Sequence, residues 1–338
     1  MVRHSAVTGA PTCAASFRRA VLAAAALIVP LVVALSAAAQ TYPSRRITLI
    51  VPYTAGTGYD TVGRTIGQKF SDRAGQPVVV DNRPGASAAL GEEIVANAPP
   101  DGYTLLLTGT PLTVSPSLNK SLRFDPVSDF SPLGNVATSG LALVVTGSFP
   151  ATTLAEFIAA VRDSPGKFNY SSPGIGTLQH LGMELFKLQL NLDVMHVPYR
   201  GAAPALTDLI TGQVQCAFLP VHSALPHVRA GELRMLAVAG SKRSTFAPEV
   251  PTLTELGHPS VDFELWYGFF GPANLPPAVA QLWETELAAI IALPDVKESL
   301  ERQGIMPVFW DAQATGARVK SEVVRWREVA RKAGIKPE

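Results

Sequence analysis

The chain of 338 residues is 47% hydrophobic and has a formal net charge of +1, its 28 Lys and Arg nearly matched by 27 Asp and Glu. That length suits two domains with real cores, and the scattered, balanced charge excludes a nucleic-acid surface or a polybasic membrane patch. The partner expected is a small molecule.

At the N-terminus, Arg18 and Arg19 precede the apolar stretch AVLAAAALIVPLVVALSAAA, which ends in Ala37-Ala38-Ala39 before polar Gln40. This is the pattern of a secretory signal peptide, residues 1–39, with cleavage expected after Ala39. A transmembrane anchor of roughly twenty apolar residues is the rival reading, against which stand Pro30 and the small-residue end. SFRRAVLA is a poor twin-arginine match, and Cys13 lies before the apolar run, which argues against a lipoprotein anchor. The mature chain keeps only Cys216, in GQVQCAFL, so no internal disulfide can form; a buried strand thiol is expected there.

ITLIVPY (47–53) is short and rich in β-branched residues, DTVGRTIGQKFSDRAG places Val62, Ile66 and Phe70 at a spacing of four, and PVVVDN returns to strand. A βαβ unit follows. A helix from about Ala88 to Asn97 stops at Pro99-Pro100, and GYTLLLTG (102–109) supplies a third, parallel strand. The middle repeats the scheme: LALVVTG, KFNYSS, DVMHVPY, VQCAFLP and LRMLAVAG read as strands, TLQHLGMELFKLQL and APALTDLITG as helices. The last third is helical, with PPAVAQLWETELAAIIAL opening on prolines and ATGARVKSEVVRWREVARKAG ending at Gly334. The extended apolar segments at 135–145 and 261–273 suit crossings between two lobes, which would make a hinge. The lobes would be residues 40–139 with 263–338, and 140–262 between them.

In VPYTAGTGYD (51–60), no P-loop lysine follows Gly56, and Thr61 stands where a dinucleotide fingerprint needs its third glycine. Strand, glycine turn and helix remain, an arrangement whose unpaired N–H groups and positive helix end suit a small anion. A tight turn that touches no ligand would look the same. SSPGIGTLQH (171–180) and PYRGAAPAL (198–206) repeat the design, and RPGASAALG and LTGTP add small-residue turns. Such turns gather at the carboxyl ends of strands, where open α/β sheets bind ligands. G-x-S-x-G, H-E-x-x-H and cysteine-histidine metal spacing are absent from the sequence. Neither an enzyme nor a cofactor or metal site is expected. His180, one turn into a helix aimed at the cleft, and Asp60, equally a capping group, are the titratable exceptions. Arg200 either pairs with a ligand carboxylate or bonds its own backbone.

YPSRRITLIVPYTAGTGYD, GQPVVVDNRPGAS, APPDGYTLLLTGT, VPYRGAAPALTDLITGQVQ, SALPHVRAGELRMLAVAGSKRS, PEVPTLTELG and AGIKPE, in that order, resemble the substrate-binding receptors of tripartite tricarboxylate transporters, the Bug receptors. The resemblance implies an α/β, two-lobed periplasmic binding protein fold with two crossing hinge strands. It also implies a periplasmic location, a small carboxylate ligand, membrane permease subunits as partners, no nucleic-acid partner, and a monomer. The ligand would be held by Tyr53, Thr54, Gly56, Thr57, Gly58 and Asp60, with Ser87 and Thr108, from the first lobe. The second would contribute Ser172, Gly174, Thr177, Tyr199, Arg200 and Gly201.

Relatives usually have paired glycines at the positions of Gly56 and Thr57 and of Ser87 and Ala88, so a narrower pocket is expected here. Many have an aspartate after the QCAF strand, where this chain has Leu219 and Pro220. An ammonium group would lose that partner, which favours a carboxylate without an amino group and with an apolar body. The alternatives are a receptor that signals to a sensor protein and an enzyme acting on a carboxylate.

Overall fold

The structure, a computed structural model, describes residues 42–85, 88–240 and 242–336. The expected signal peptide and Ser87 lie outside the described residues. Among those described, no helix is long and apolar enough to cross a membrane.

From Arg45 onward the chain forms one compact unit. Strand β1 (Ile47–Val51) runs parallel to β2 (Val78–Asn82) and β3 (Thr104–Gly109), with Leu49 opposite both Val80 and Leu105. Helix α1 (Gly58–Ala74) crosses from β1 to β2 and buries Val62, Ile66 and Phe70, the spacing-of-four stripe that amphipathic helices turn inward. Gly75, at φ 69, ends it. Helix α2 (Ala89–Ala96) makes the next crossover. Ala88, before it, sits at φ 84, a left-handed shape that glycine adopts more readily. The short helix α3 (Thr110–Val114) and a 3-10 turn, Ser115–Ser117, follow β3.

Strand β4 (Phe130–Thr146) has 17 residues and serves both halves. Its first part, Phe130–Gly140, is antiparallel to β9 (Glu264–Pro272), which in turn lies antiparallel to β3. Its last part, Leu141–Thr146, is antiparallel to β7 (Cys216–Pro220) and β8 (Leu233–Ala239). Helix α4 (Leu154–Asp163) starts in a Thr153/Glu156 capping box. Strands β5 (Asn169–Ser172), β6 (Met195–Pro198) and β7 repeat the parallel scheme, with helices α5 (Leu178–Leu190) and α6 (Ala202–Ile210) as crossovers. The sheet order β2-β1-β3-β9-β4-β7-β5-β6 is therefore a mixed sheet of two parallel halves joined through antiparallel β9 and β4. The chain returns through Val261 and Phe263, buried in the second half's core, into β9.

Helix α7 (Val221–Arg229), helix α9 (Pro294–Glu301) and strand β10 (Met306–Trp310), which pairs with β4, have no counterpart among the elements read from sequence. Helix α8 (Pro277–Ile291) packs on α1, Trp283 stacking on Phe70 at 3.9 Å. The last helix, α10 (Ala312–Lys332), touches both cores: Val319 and Val323 join the cluster of Ile50, Leu106 and Trp266, whereas Trp326, Val329 and Ala330 join that of Phe218, Phe263 and Leu178. Each fully buried Phe or Val contributes about 1.5–3 kcal/mol relative to exposure, so the helix is held at both ends. Buried Glu322 adds directional bonds, accepting from Thr113 Oγ1 at 2.9 Å and Trp266 Nε1 at 3.0 Å.

Candidate ligand-binding cleft

Two strand-to-helix turns, about 120 residues apart in sequence, are built alike. In the first, Gly56 takes φ +83, Thr57 caps α1, and Thr57 Oγ1 donates to the Thr54 carbonyl at 3.0 Å while accepting the Asp60 N–H at 3.5 Å. In the second, Gly176 takes φ +83, Thr177 caps α5, and Thr177 Oγ1 donates to the Gly174 carbonyl at 2.9 Å while accepting the His180 N–H at 3.3 Å. Each turn also closes on its own glycine. Asp60 Oδ2 accepts the Gly56 N–H at 2.9 Å, and His180 Nδ1 accepts the Gly176 N–H at 3.1 Å. These two glycine amides are thus spent within their loops. The N–H groups of Gly58 and Tyr59, and of Leu178 and Gln179, have no acceptor among the described residues; they are the orphan donors of a helix start.

The turns differ in charge. Asp60 is 4% exposed; burial would raise its carboxyl, but hydrogen bonds from Arg64, the Gly56 amide and Asn82, with the Arg64 charge, hold it below the usual carboxylate value. Arg64 itself is half exposed, so solvent screens it more than it screens Asp60. His180 is held below the ordinary imidazole value, chiefly by burial, and is neutral at pH 7. The positive end of α1 is therefore offset by a carboxylate at its third position, and that of α5 is not.

Both turns line one cavity of about 780 Å³, with Tyr53, Thr54 and Thr57 from the first and Ile175, Thr177 and Gln179 from the second. Val114, Ser115 and Leu118, Leu265 of β9 and Lys336 complete much of the wall. Lys336 is the one charged residue among the described residues lining it. A second cavity of about 250 Å³ shares Gln179 and is walled by Ser172, Leu206, Phe218, Leu219 and Pro220. Among the described residues neither lining contains Asp or Glu.

Of the residues expected to hold ligand, Tyr53, Thr54, Thr57 and Thr177 line the larger cavity and Ser172 the smaller. Gly58 offers its amide beside them. Gly56 and Asp60 bond to each other, and Gly174 serves as acceptor for Thr177 and Ser172. Thr108 is buried and donates to Glu92 Oε1 at 2.8 Å. Tyr199 donates to Asp208 at 2.6 Å, and Gly201 starts α6 with its N–H on the Pro173 carbonyl. Tyr199, Arg200 and Gly201 line neither cavity. Val114, Leu118, Gln179, Leu265 and Lys336 went unremarked in the sequence reading. The AGIKPE motif marks the neighbourhood of Lys336, yet nothing local says that it returns to the cleft.

Behind the first turn, Tyr59 stacks on Tyr53 at 4.2 Å and donates to the Trp266 carbonyl at 3.2 Å, which ties the loop to crossing strand β9. Glu92 is fully buried and pushed up to about 8 by desolvation, so it is protonated at neutral pH. In the second half the rings of Tyr170, His196 and His180 stack, the two imidazoles 4.0 Å apart, and His196 Nε2 meets Ser172 Oγ at 2.7 Å. This pair does not have the form of an activated nucleophile. Burial, His180 and Lys187 bring His196 down to about 3, too weak a base, and Ser172 Oγ donates to the Gly174 carbonyl at 3.0 Å. Cys216 is buried, and burial pushes its thiol up to about 12. Among the described residues no group of three His, Cys, Asp or Glu could hold a metal ion.

The model of the tripartite tricarboxylate transporter family receptor matches residues 62–335. A UPF0065 protein of Bordetella pertussis is 36% identical over 314 residues, 93% of this chain and 97% of that one. Protein BugT of the same organism is 34% identical over 306 residues, 90% of this chain and 94% of its own. Among solved structures, an R. palustris protein with adipate is 32% identical with a TM-score of 0.76, covering 88% of this chain and 100% of that one. MatC from Rhodopseudomonas palustris, with bound malate, is 28% identical with a TM-score of 0.71, covering 85% and 99%. The periplasmic binding protein BugD is 30% identical with a TM-score of 0.73, covering 88% and 100%. With matches running from the first turn to the C-terminal helix, the chain belongs to the tripartite tricarboxylate transporter receptor family.

Proposed function

We propose that this protein is a periplasmic receptor that captures a small carboxylate in the larger cavity and delivers it to the membrane permease subunits of a tripartite transporter. The observation that carries this is the pair of helix starts, α1 and α5, whose orphan N–H groups belong to turns lining one cavity. The ligand carboxylate goes to the α5 end, where no protein carboxylate competes. The α1 end, offset by Asp60, takes a hydroxyl or a water. Closure is driven by a ligand that reaches both turns at once, with lobes 40–139 plus 263–338 and 140–262 hinged on β4 and the entrance to β9. Residues 1–39 serve as the export signal.

The ligand has no amino group. Among the described residues neither cavity lining contains a carboxylate that could pair an ammonium, and the one charged side chain on the larger wall is positive. Adipate and malate, bound in two related structures, share that character. Among the described residues no side chain in the cleft has the geometry of an activated nucleophile or base, and the ligand leaves chemically unchanged. Calorimetric titration with malate, adipate, aspartate and glutamate, with mass spectrometry of the co-purifying solute and of the acids after long incubation, tests this reading. Selective binding of the amino acids, or conversion of any acid, would overturn it.

A further inference from the structure

The end of α10 is a designed turn. The Ile335 N–H reaches the Ala330 carbonyl at 2.9 Å and the Gly334 N–H the Arg331 carbonyl at 3.2 Å, with Gly334 at φ +70. This is the Schellman pattern, which fixes the direction of the chain beyond a helix. Ile335 packs against the core cluster that also holds Leu178, the first residue of α5. Lys336 is the next residue. It is exposed, lines the larger cavity, and has no ion-pair partner among the described residues. Lys336, Leu178 and Gln179 thus line one cavity, with the chain just before the lysine packed on the core beneath α5. Val114, Leu118 and Ile175 add apolar wall to the cavity that both share.

The geometry points to Lys336 as the residue by which this receptor distinguishes a dicarboxylate from a monocarboxylate. The inference rests on the carboxylate-receptor reading above. One carboxylate is satisfied by the N–H groups of Leu178 and Gln179, the spacer lies along the apolar wall, and Lys336 meets the second carboxylate. A monoacid of equal length makes the first contact and the apolar one but leaves Lys336 in solvent. Ion pairs with one exposed partner are modest, so the discrimination expected from this contact is about 1.5-fold to fivefold, and added salt diminishes it.

The test titrates the exported protein with two matched pairs, adipate against hexanoate and malate against 3-hydroxybutyrate, in the wild type and in Lys336→Ala, Lys336→Arg and Gly334→Ala. Lys336→Ala should weaken the diacids about 1.5-fold to fivefold, leave the monoacids and the melting temperature unchanged, and flatten the salt dependence. Lys336→Arg should restore most of the loss. Gly334→Ala, which strains the φ +70 turn and redirects the tail, should reproduce the selective loss. Equal weakening of both acid classes, or no change for either in a variant whose parent binds the diacids, overturns the role of Lys336 and leaves the receptor reading standing. A wild type that binds none of the four acids removes both.

Discussion

Replacing His180 by aspartate makes the second turn a chemical copy of the first. Gly56 and Gly176 share φ +83, and Asp60 shows that a carboxylate at the fourth position beyond can accept the glycine N–H, at 2.9 Å. The backbone is therefore expected to stay, while one negative charge appears behind the Leu178 and Gln179 amides, where burial now keeps a neutral imidazole. A bound carboxylate would lie somewhat more than one helical turn, about 6.5 Å, from the new charge. At an effective dielectric of about 20–40 the repulsion is about 1.3–2.5 kcal/mol, a loss of affinity of about 10- to 70-fold. His180→Asn is the reference, because it provides a neutral acceptor and equally loses the ring stack on His196 at 4.0 Å. Both variants should lose on the order of 0.5–1.5 kcal/mol of stability through that lost stack. Calorimetry with malate and adipate at pH 7.5 and low salt, on samples whose melting shows them folded, measures the difference. Equal affinities for the aspartate and asparagine forms would refute the placement of the carboxylate at the α5 end.

The reciprocal change, Asp60→Asn, keeps an acceptor for Gly56 but loses the 2.9 Å ion pair with Arg64. A stability cost of about 1–3 kcal/mol should accompany a gain in carboxylate affinity of about twofold to fivefold, and a fall in affinity would argue against an anion near α1. Gly176→Ala and Gly56→Ala impose the same left-handed strain, of order 1–2 kcal/mol, but only at Gly176 does the new Cβ meet a neighbour, 2.4 Å from Leu118 Cδ1. Leu118 lines the cavity, so Gly176→Ala should lower both melting temperature and affinity more than Gly56→Ala; equal effects would mean that the wall does not shape binding. Buried Glu92 and half-buried His196 set opposite pH limits. Glu92 titrates near 8 when folded and near 4.5 when unfolded, so its contribution is fully present below about 4.5 and lost as pH rises through about 8. His196 titrates near 3 when folded and near 6.5 when unfolded, so its contribution is lost as pH falls from about 6.5 towards 3. Chemical denaturation across pH should show the weaker alkaline limb levelled in Glu92→Gln, and an unchanged limb would assign the loss to other groups.

The features readable from the sequence were those written in short stretches. Strand, glycine turn, threonine cap and helix in TAGTGYD and GIGTLQH are closed by bonds spanning three or four residues, so local order was enough to find both turns. The same holds for the crossover helices with their spacing-of-four stripes and for the buried strand thiol of Cys216. Which donors remained for a ligand was not readable. The Gly56 amide is consumed by Asp60, Thr108 is consumed by Glu92, and Arg200 stays outside both cavities, each a matter of side-chain placement that residue type leaves open. Nor could any window of sequence show that α10 would span both cores and return Lys336 to the cleft. That outcome depends on the register of β4 against β9 and β7, pairings made between segments about 70 to 140 residues apart. Motif and cap are local and so belong to the sequence; convergence on one cavity is decided only when those distant strands pair.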